Sequence, residues 1–590
     1  MYQPATSAAA QPGSLRACLN YEPRELQFGT SGRRGEVADL TQLEIYLNAL
    51  AEIEYLQSLP RPQGGIARGE EFYFAYDLRP SSSRYVEEQQ GRGEIAQAIE
   101  RAIRDAGMHP VNLGRIPTPA LACYALSRGR GSIMVTGSHI PFDRNGYKTN
   151  SARGELRKED EQPINERVRR VRERLYSQPC ADSPFNERGL FKEGHRELVP
   201  ESEEGRAAYL ARYTAFFAGE SLGGMRLLVY QHSAVGRDLL VEILERLGAE
   251  VSAAGRSETF VPIDTENIDQ AQLAAIQALA DGAAARHGAL EAVVSTDGDS
   301  DRPLILGVDP DTRRAQFFGG DLVGMIVAEY LGADAVVVPV SCNDAIDRGS
   351  LAAITEPRTR IGSPYVIAGL EKARRKGRRA VCGWEANGGF LTGSDITRNG
   401  KVLAALPTRD AVLPILCVLL AARETGLSLA GLFARLPRRF SRAALLTRFP
   451  RALGLGMVRR FSPADERIRE AVFSAAGILL LDEDRNELPV STAQAREMEA
   501  VRQALEQFFR ADLGFGRITR LNHIDGVRAV FSNGDVAHVR PSGNADELRI
   551  YAVADTQERA DAIAGMGVAE PGGILRRMER AVARGEDRHA

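Results

Sequence analysis

The chain has 590 residues, a formal net charge of -3, 44% hydrophobic residues and 26% charged residues. That length predicts about four domains and enough apolar material for several buried cores. The charge balance excludes a general nucleic-acid binder, which concentrates excess Lys and Arg, while leaving room for a local cationic pocket. Taken in chain order, residues 1–20 are rich in Ala, Ser, Pro and Gln and read as a loose tail without the basic-then-apolar pattern of a secretory leader. Phe28-Gly29-Thr30-Ser31-Gly32-Arg33-Arg34-Gly35 is flexible and basic, able to approach an anion or simply to be an exposed loop. Residues 72–76 (FYFAY) form a short strand that ends in Asp77-Leu78-Arg79-Pro80-Ser81-Ser82. Gly91-Arg92-Gly93 with Ala96 matches a loose dinucleotide fingerprint, but it follows Glu-Glu-Gln-Gln and not a strand.

Next comes Ser132-Ile133-Met134-Val135-Thr136-Gly137-Ser138-His139-Ile140-Pro141, with Lys148 ten positions beyond the serine. A short apolar strand delivers a hydroxyl into a Gly- and Pro-bounded turn, where ligands of open α/β sheets bind. A plain turn serine is the equal alternative from this segment alone. Residues 156–204 are dense in Arg, Glu, Pro and Asn and read as an insertion or connector. The strand at 227–230, its QHSAVGR turn and the helical spacing of DLLVEILERLGAEV repeat the strand, turn, helix grammar of parallel α/β layers.

After the strand at 292–295 stands Thr296-Asp297-Gly298-Asp299-Ser300-Asp301-Arg302. Three carboxylates at alternating positions repel one another, and a hard divalent cation with oxygen ligands resolves that repulsion. An EF-hand is ruled out, because Arg302 and Val308 occupy the positions of its glycine and bidentate glutamate. An acidic surface turn is the other reading. The strand at 335–340 (AVVVPV) opens a third α/β unit, and Gly383-Trp384-Glu385-Ala386-Asn387-Gly388-Gly389 follows another strand with a carboxylate and an amide suited to sugar hydroxyls, or as a glycine-rich turn. The apolar run at 411–422 is too short to span a bilayer and predicts a buried helix. Residues 526–535 carry hairpin turn chemistry, and Arg540-Pro541-Ser542-Gly543-Asn544, with Arg549 beyond, offers a phosphate cradle or a turn before a strand. Six scattered cysteines without a CxxC pair read as reduced thiols of a cytosolic protein. No GxxxxGK[ST] or HExxH is present.

Taken together and in this order, these segments resemble the α-D-phosphohexomutase family over about residues 28–551. The resemblance implies an α/β protein of four domains around a central cleft, three related α/β domains plus a smaller C-terminal α+β domain. In this sequence they are expected at 21–205, 206–315, 316–440 and 441–590 after the tail. It implies that Ser138 carries the phosphoryl group and that Asp297, Asp299 and Asp301, with an oxygen on Ser138, bind one Mg2+ per chain. Arg34 and Lys148 match basic residues near the reacting phosphoryl group, and Lys148, then His139, is the expected proton carrier. Arg302, Thr359, Gly362, Glu385 and Asn387 are expected to read the sugar. Arg540, Ser542, Gly543, Asn544 and Arg549 are expected to hold the non-reacting phosphate. The implied activity interconverts hexose 6-phosphate and hexose 1-phosphate through a hexose 1,6-bisphosphate, which is both intermediate and activator. Phosphomannomutase is favoured over phosphoglucomutase and phosphoglucosamine mutase, and a non-catalytic sugar-phosphate binder is the reading from another class. A small phosphosugar is the expected partner of a cytoplasmic monomer or homodimer, with no nucleic acid and no membrane. The departures lie in the loops of the third and fourth domains. Asn387 replaces the usual serine, Gly389 a frequent histidine, Pro364 a polar residue, and Asn544-Ala545-Asp546 the usual Thr-Glu-Pro.

Overall fold

A computed structural model describes residues 11–29, 31–266, 268–543 and 546–583 of the chain. The chain divides into two compact units, one of residues 1–264, 271–315 and 398–416, the other of 265–270, 316–397 and 417–590.

In the first unit, Glu71–Tyr76 is a central strand, parallel to Ser132–Val135 on one side and to His109–Asn112 on the other. Every residue of Ser132–Val135 is buried, as a parallel strand covered on both faces requires. Arg144–Ser151 then returns antiparallel beside it, with Tyr147 opposite Val135, and Arg33–Glu36 closes that edge. A second sheet runs Glu250–Ala254, Arg226–Tyr230, Ala292–Thr296, Pro303–Val308, the first three parallel and the last antiparallel. The strand, turn, helix expectation holds for Arg226–Tyr230, which leads to the helix Arg237–Arg246. The serine and aspartate segments are different. Each is the tip of a hairpin whose outgoing strand is parallel to its other neighbour, so the tip stands at the carboxyl end of the sheet.

The charged stretch at 156–204 is more than a connector. Its first half is the helix Glu161–Tyr176, which buries Ile164, Val168, Val171 and Leu175 in the same core as Gln42–Ser58. That apolar stripe has helical spacing, and the surrounding arginines and glutamates obscure it in the sequence. Its second half stacks Phe185 on Phe191, ring centroids 4.8 Å apart, against Tyr46. The described part of the expected tail, residues 11–20, is folded. Ser14 caps a short helix, Leu15–Cys18, and Leu15 is buried.

In the second unit, Ala335–Val337 runs parallel to Val381–Trp384, and Phe390–Thr392 returns antiparallel with Phe390 opposite Trp384. The C-terminal α+β part carries an eight-stranded antiparallel sheet, ordered Phe440–Thr447, Glu547–Ala554, Val536–Pro541, Val527–Phe531, Ile518–Asn522, Glu470–Ser474, Gly477–Leu481, Glu487–Leu488. The turn at 532–535 joins two of these strands as a hairpin. The apolar run at 411–422 lies in the buried helix Val412–Thr425, and no helix among the described residues is long and apolar enough to cross a membrane. All six cysteines are free.

One buried ion pair pins the edge of the first sheet to the helix beneath it. Arg33 Nε lies 2.6 Å from Glu52 Oε1, and Thr149 donates to the other carboxylate oxygen at 2.6 Å. Glu52→Ala strands the guanidinium in the core and is expected to cost about 3–5 kcal/mol, read as a lower urea midpoint, whereas the paired Arg33→Met/Glu52→Leu change restores most of the loss.

Candidate active site

The loop 297–302 spans only the six residues between Thr296 and its cross-strand partner Pro303, which forces alternate side chains to one side. Asp297, Asp299 and Asp301 are all buried, with one oxygen of each within 4.8 Å of the others. Burial first, and then the charges of Asp299 and Asp301, push the Asp297 carboxyl well above its usual range. Burial alone would raise Asp301 too, but Arg409, Lys148 and Arg302 hold it well below the carboxylate range. Asp299 is held down against burial and the Asp301 charge by Lys148 and by a hydrogen bond from Thr118.

This donor set fits a hard divalent cation. Asp299 Oδ1 and Asp301 Oδ1 are buried without a hydrogen-bond partner, whereas such oxygens are ordinarily satisfied. An all-oxygen trio with room for further ligands is what magnesium takes when it also holds a phosphate.

The serine comes to this trio from 159 residues away. Ser138 Oγ donates to Asp297 Oδ2 at 2.7 Å, and Asp297 Oδ1 caps its own turn by accepting from the backbone N–H of Asp301 and Arg302. Close approach of the two tips depends on Gly298, where a Cβ would stand 2.7 Å from the Ser138 carbonyl oxygen. Ser138 itself has φ of +54°, a left-handed conformation that costs a non-glycine residue about 1 kcal/mol or more and is typical of functional turns. Its backbone N–H is held by Thr136 Oγ1 at 2.7 Å. His139 Nδ1 lies 3.5 Å from the serine hydroxyl.

Cationic side chains surround this pair of loops. Lys148 Nζ is 2.7 Å from both Asp299 Oδ2 and Asp301 Oδ2. Arg302 Nε is 3.6 Å from Asp301 Oδ1. Arg34 is half-buried, and burial followed by the neighbouring Arg302 charge pushes its guanidinium down to about 10. Among the described residues its guanidinium has no hydrogen bond or ion pair.

Two residues at this site were not singled out from sequence. Arg409 gives Asp301 Oδ2 two hydrogen bonds, from Nε at 3.1 Å and Nη2 at 2.8 Å. Thr118 Oγ1 donates to Asp299 Oδ2 at 2.5 Å. Thr118 carried a faint signal, a Pro-Thr-Pro turn between a strand and the helix Thr118–Ser127. Arg409 carried none, being one arginine in a strand-to-helix junction. With Arg409, four cations face three carboxylates before any metal is counted, a balance suited to a phosphoryl group.

The remaining expected residues lie in the second unit. Glu385 and Asn387 are buried in the hairpin tip between Trp384 and Phe390, and Asn387 Oδ1 accepts from the Gly389 N–H at 2.9 Å. Gly362, with φ of +128°, precedes the helix Ser363–Arg375. Asp525, also missed, joins two expected groups: its Oδ2 accepts from Ile361 N at 3.0 Å in the loop of Thr359 and Gly362, and its Oδ1 is 3.0 Å from Arg540 Nε. Ser542 N donates to the Glu547 carbonyl at 2.8 Å and Arg549 Nη2 to the Glu547 carboxylate at 3.0 Å, closing the loop around Gly543. Asn544 lies outside the described residues.

Three family models match the chain, described as phosphoglucomutase/phosphomannomutase alpha/beta/alpha domain I at residues 25–175, alpha/beta/alpha domain III at 319–440 and C-terminal domain at 487–569. A phosphomannomutase of Sinorhizobium fredii is 36% identical over 92% of this chain and 98% of its own length. A phosphomannomutase of Salmonella muenchen is 34% identical over 91% of this chain and 93% of its own. Among solved structures, a putative phosphomannomutase from Thermus thermophilus shares the fold with a TM-score of 0.57 at 20% identity, covering 92% of this chain and 98% of that one. With three domain models in register and relatives similar over nearly their full length, the chain belongs to the α-D-phosphohexomutase family and is a mutase of the isomerase class.

Proposed function

We propose that this enzyme interconverts mannose 6-phosphate and mannose 1-phosphate, with Ser138 carrying the phosphoryl group between half-reactions. The supporting observation is the Ser138 hydroxyl seated on Asp297 inside a buried, cation-ringed carboxylate trio. The choice of mannose is supported by the two relatives similar over most of the chain.

Phospho-Ser138 gives its phosphoryl group to a hydroxyl of the hexose monophosphate, and the resulting hexose 1,6-bisphosphate turns over and returns its other phosphoryl group to Ser138. The bisphosphate also primes the enzyme as activator. Asp297, Asp299, Asp301 and an oxygen on Ser138 would hold one magnesium, which would supply charge opposite to that of the transferring oxygens. Arg34 and Lys148 stabilise the same charge, which is most of what phosphoryl transfer asks of a protein. Lys148, with His139 second, takes the hydroxyl proton by entering the step as the neutral amine, carries the stabilising charge as the ammonium so formed, and returns the proton in the reverse transfer. Arg302, Thr359, Gly362, Glu385 and Asn387 read the sugar. Arg540, Ser542, Gly543, Asn544 and Arg549 hold whichever phosphate is not reacting. Such an enzyme acts in the cytoplasm on a small phosphosugar, as a monomer or homodimer.

Ser138→Ala is expected to lower turnover by at least about 10³-fold and to remove the phosphate adduct seen by intact mass spectrometry; an adduct that persists on the variant refutes the covalent step. Thr118→Val withdraws the hydrogen bond that orients Asp299, so the magnesium concentration giving half-maximal rate is expected to rise about 10–100-fold while the rate at saturating magnesium changes little. Side-by-side assays of mannose 1-phosphate, glucose 1-phosphate and glucosamine 1-phosphate are expected to rank the mannose ester first by kcat/KM. A leading glucosamine or glucose ester transfers the assignment to the corresponding mutase.

A further inference from the structure

Arg79 lies three residues beyond the end of the strand Glu71–Tyr76 and points away from solvent, fully buried. Its guanidinium donates four hydrogen bonds, all to main-chain carbonyls of the serine tip: Nη2 to Ser138 at 2.9 Å and Ile140 at 2.5 Å, Nη1 to Pro141 at 2.7 Å and Arg144 at 2.8 Å. One face stacks on the Phe260 ring, 3.7 Å from its centroid. Behind it stands Asp77, with Oδ2 3.4 Å from Arg79 Nε and also accepting from Thr136 Oγ1 at 2.8 Å. The other Asp77 oxygen accepts from the Arg79 N–H at 3.0 Å and from Ser82 Oγ at 2.6 Å. A Cβ at Gly137 would stand 2.7 Å from the guanidinium carbon, so the glycine is what lets the loop lie on the arginine.

We infer that Arg79 is the positioning residue of the phosphoryl-carrying loop: its planar fork gathers four carbonyls and holds Ser138 in the left-handed conformation that aims Oγ at the carboxylate trio. The chemistry of the residue type explains the choice. An ammonium has three donors in a cone and cannot bridge four acceptors spread along a loop, whereas guanidinium presents a rigid fork. The carbonyls of a tight turn repel one another, and a cation on their oxygens removes that repulsion where water cannot enter. Arg79 touches neither sugar nor phosphate in this role, so its loss is felt in the transfer rate and not in substrate binding.

This inference rests on Ser138 as the carrier, and the test separates the two. Phosphoryl transfer from glucose 1,6-bisphosphate to dephosphorylated enzyme is followed in a single turnover by intact mass, beside steady-state kinetics. Arg79→Ala is expected to slow uptake by about 10²-fold or more, because a displacement of roughly 1 Å at a reacting atom costs that much, with KM for the hexose phosphate within about threefold of the parent. Millimolar guanidinium ion restores uptake in Arg79→Ala and not in Arg79→Lys, where the ammonium fills the space without the fork. Parent-like uptake by Arg79→Ala overturns the assignment of Arg79 alone, as does a slowed variant that guanidinium leaves unchanged. A parent enzyme that takes up no phosphate overturns the carrier reading, and this inference with it. If Arg79→Ala does not fold, Phe260→Leu loosens the stack instead; a several-fold slower uptake at unchanged KM supports the inference, and a parent rate refutes it.

Discussion

Three carboxylates enclosed together in a protein interior are an expensive arrangement, since each loses its water and repels the other two. Much of the first unit is organised around meeting that cost. Lys148 is supplied by a strand of the first sheet, Thr118 by the helix between two of its strands, Arg302 by the loop itself and Arg409 by a strand more than a hundred residues downstream. These partners hydrogen-bond one oxygen each on Asp299 and Asp301 and leave the other without a hydrogen bond, Arg302 Nε standing 3.6 Å from Asp301 Oδ1. A wholly neutralised trio would have no use for a metal, and a wholly bare one could not be buried. The intermediate condition is a carboxylate cage stable enough to fold that keeps two buried oxygens without a hydrogen-bond donor.

The second organising device is topological. Parallel strands ordinarily pass into helices, and a loop between them can drift in length and direction. Here the serine, the aspartates and the glutamate of the second unit each sit where a strand parallel to its neighbour is met at once by an antiparallel return. Both ends of such a tip are held by cross-strand hydrogen bonds, which confines its residues far more tightly than a strand-to-helix turn would. Left-handed geometry at Ser138 and Ser300, and glycine at 298 where a side chain would collide, are the local consequences of that confinement.

What could be read from the chain alone follows the range of the interactions concerned. Ser138 and the three aspartates announce themselves because their chemistry is written in fewer than ten consecutive residues. The strands of the α/β layers were likewise visible as short apolar runs. Arg409 and Asp525 were invisible for the opposite reason, since each acts on a loop distant in sequence and nothing around it distinguishes it from other surface-prone charged residues; Arg79 showed only as part of the turn after FYFAY, its hold on the serine loop unread. The stretch at 156–204 shows a different failure, where arginines and glutamates on the outer face of Glu161–Tyr176 concealed the buried stripe of Ile164, Val168, Val171 and Leu175. Leu15 was lost for another reason, standing in a segment, QPGSLRACL, too short to show any periodicity.

The strand Leu406–Asp410 has a consequence for how the protein is made. Three successive residues of it are committed to the first unit: Thr408 to Glu155, Arg409 to Asp301, and Asp410 to the hydroxyls of Tyr209 and Tyr213. A nascent chain emerging from the ribosome therefore holds its serine and aspartate loops long before it holds the arginine that neutralises Asp301. The first unit must wait for most of the polypeptide to be synthesised, and any premature stop before Arg409 yields an N-terminal fragment whose acidic pocket and tyrosine pair lack their counterparts.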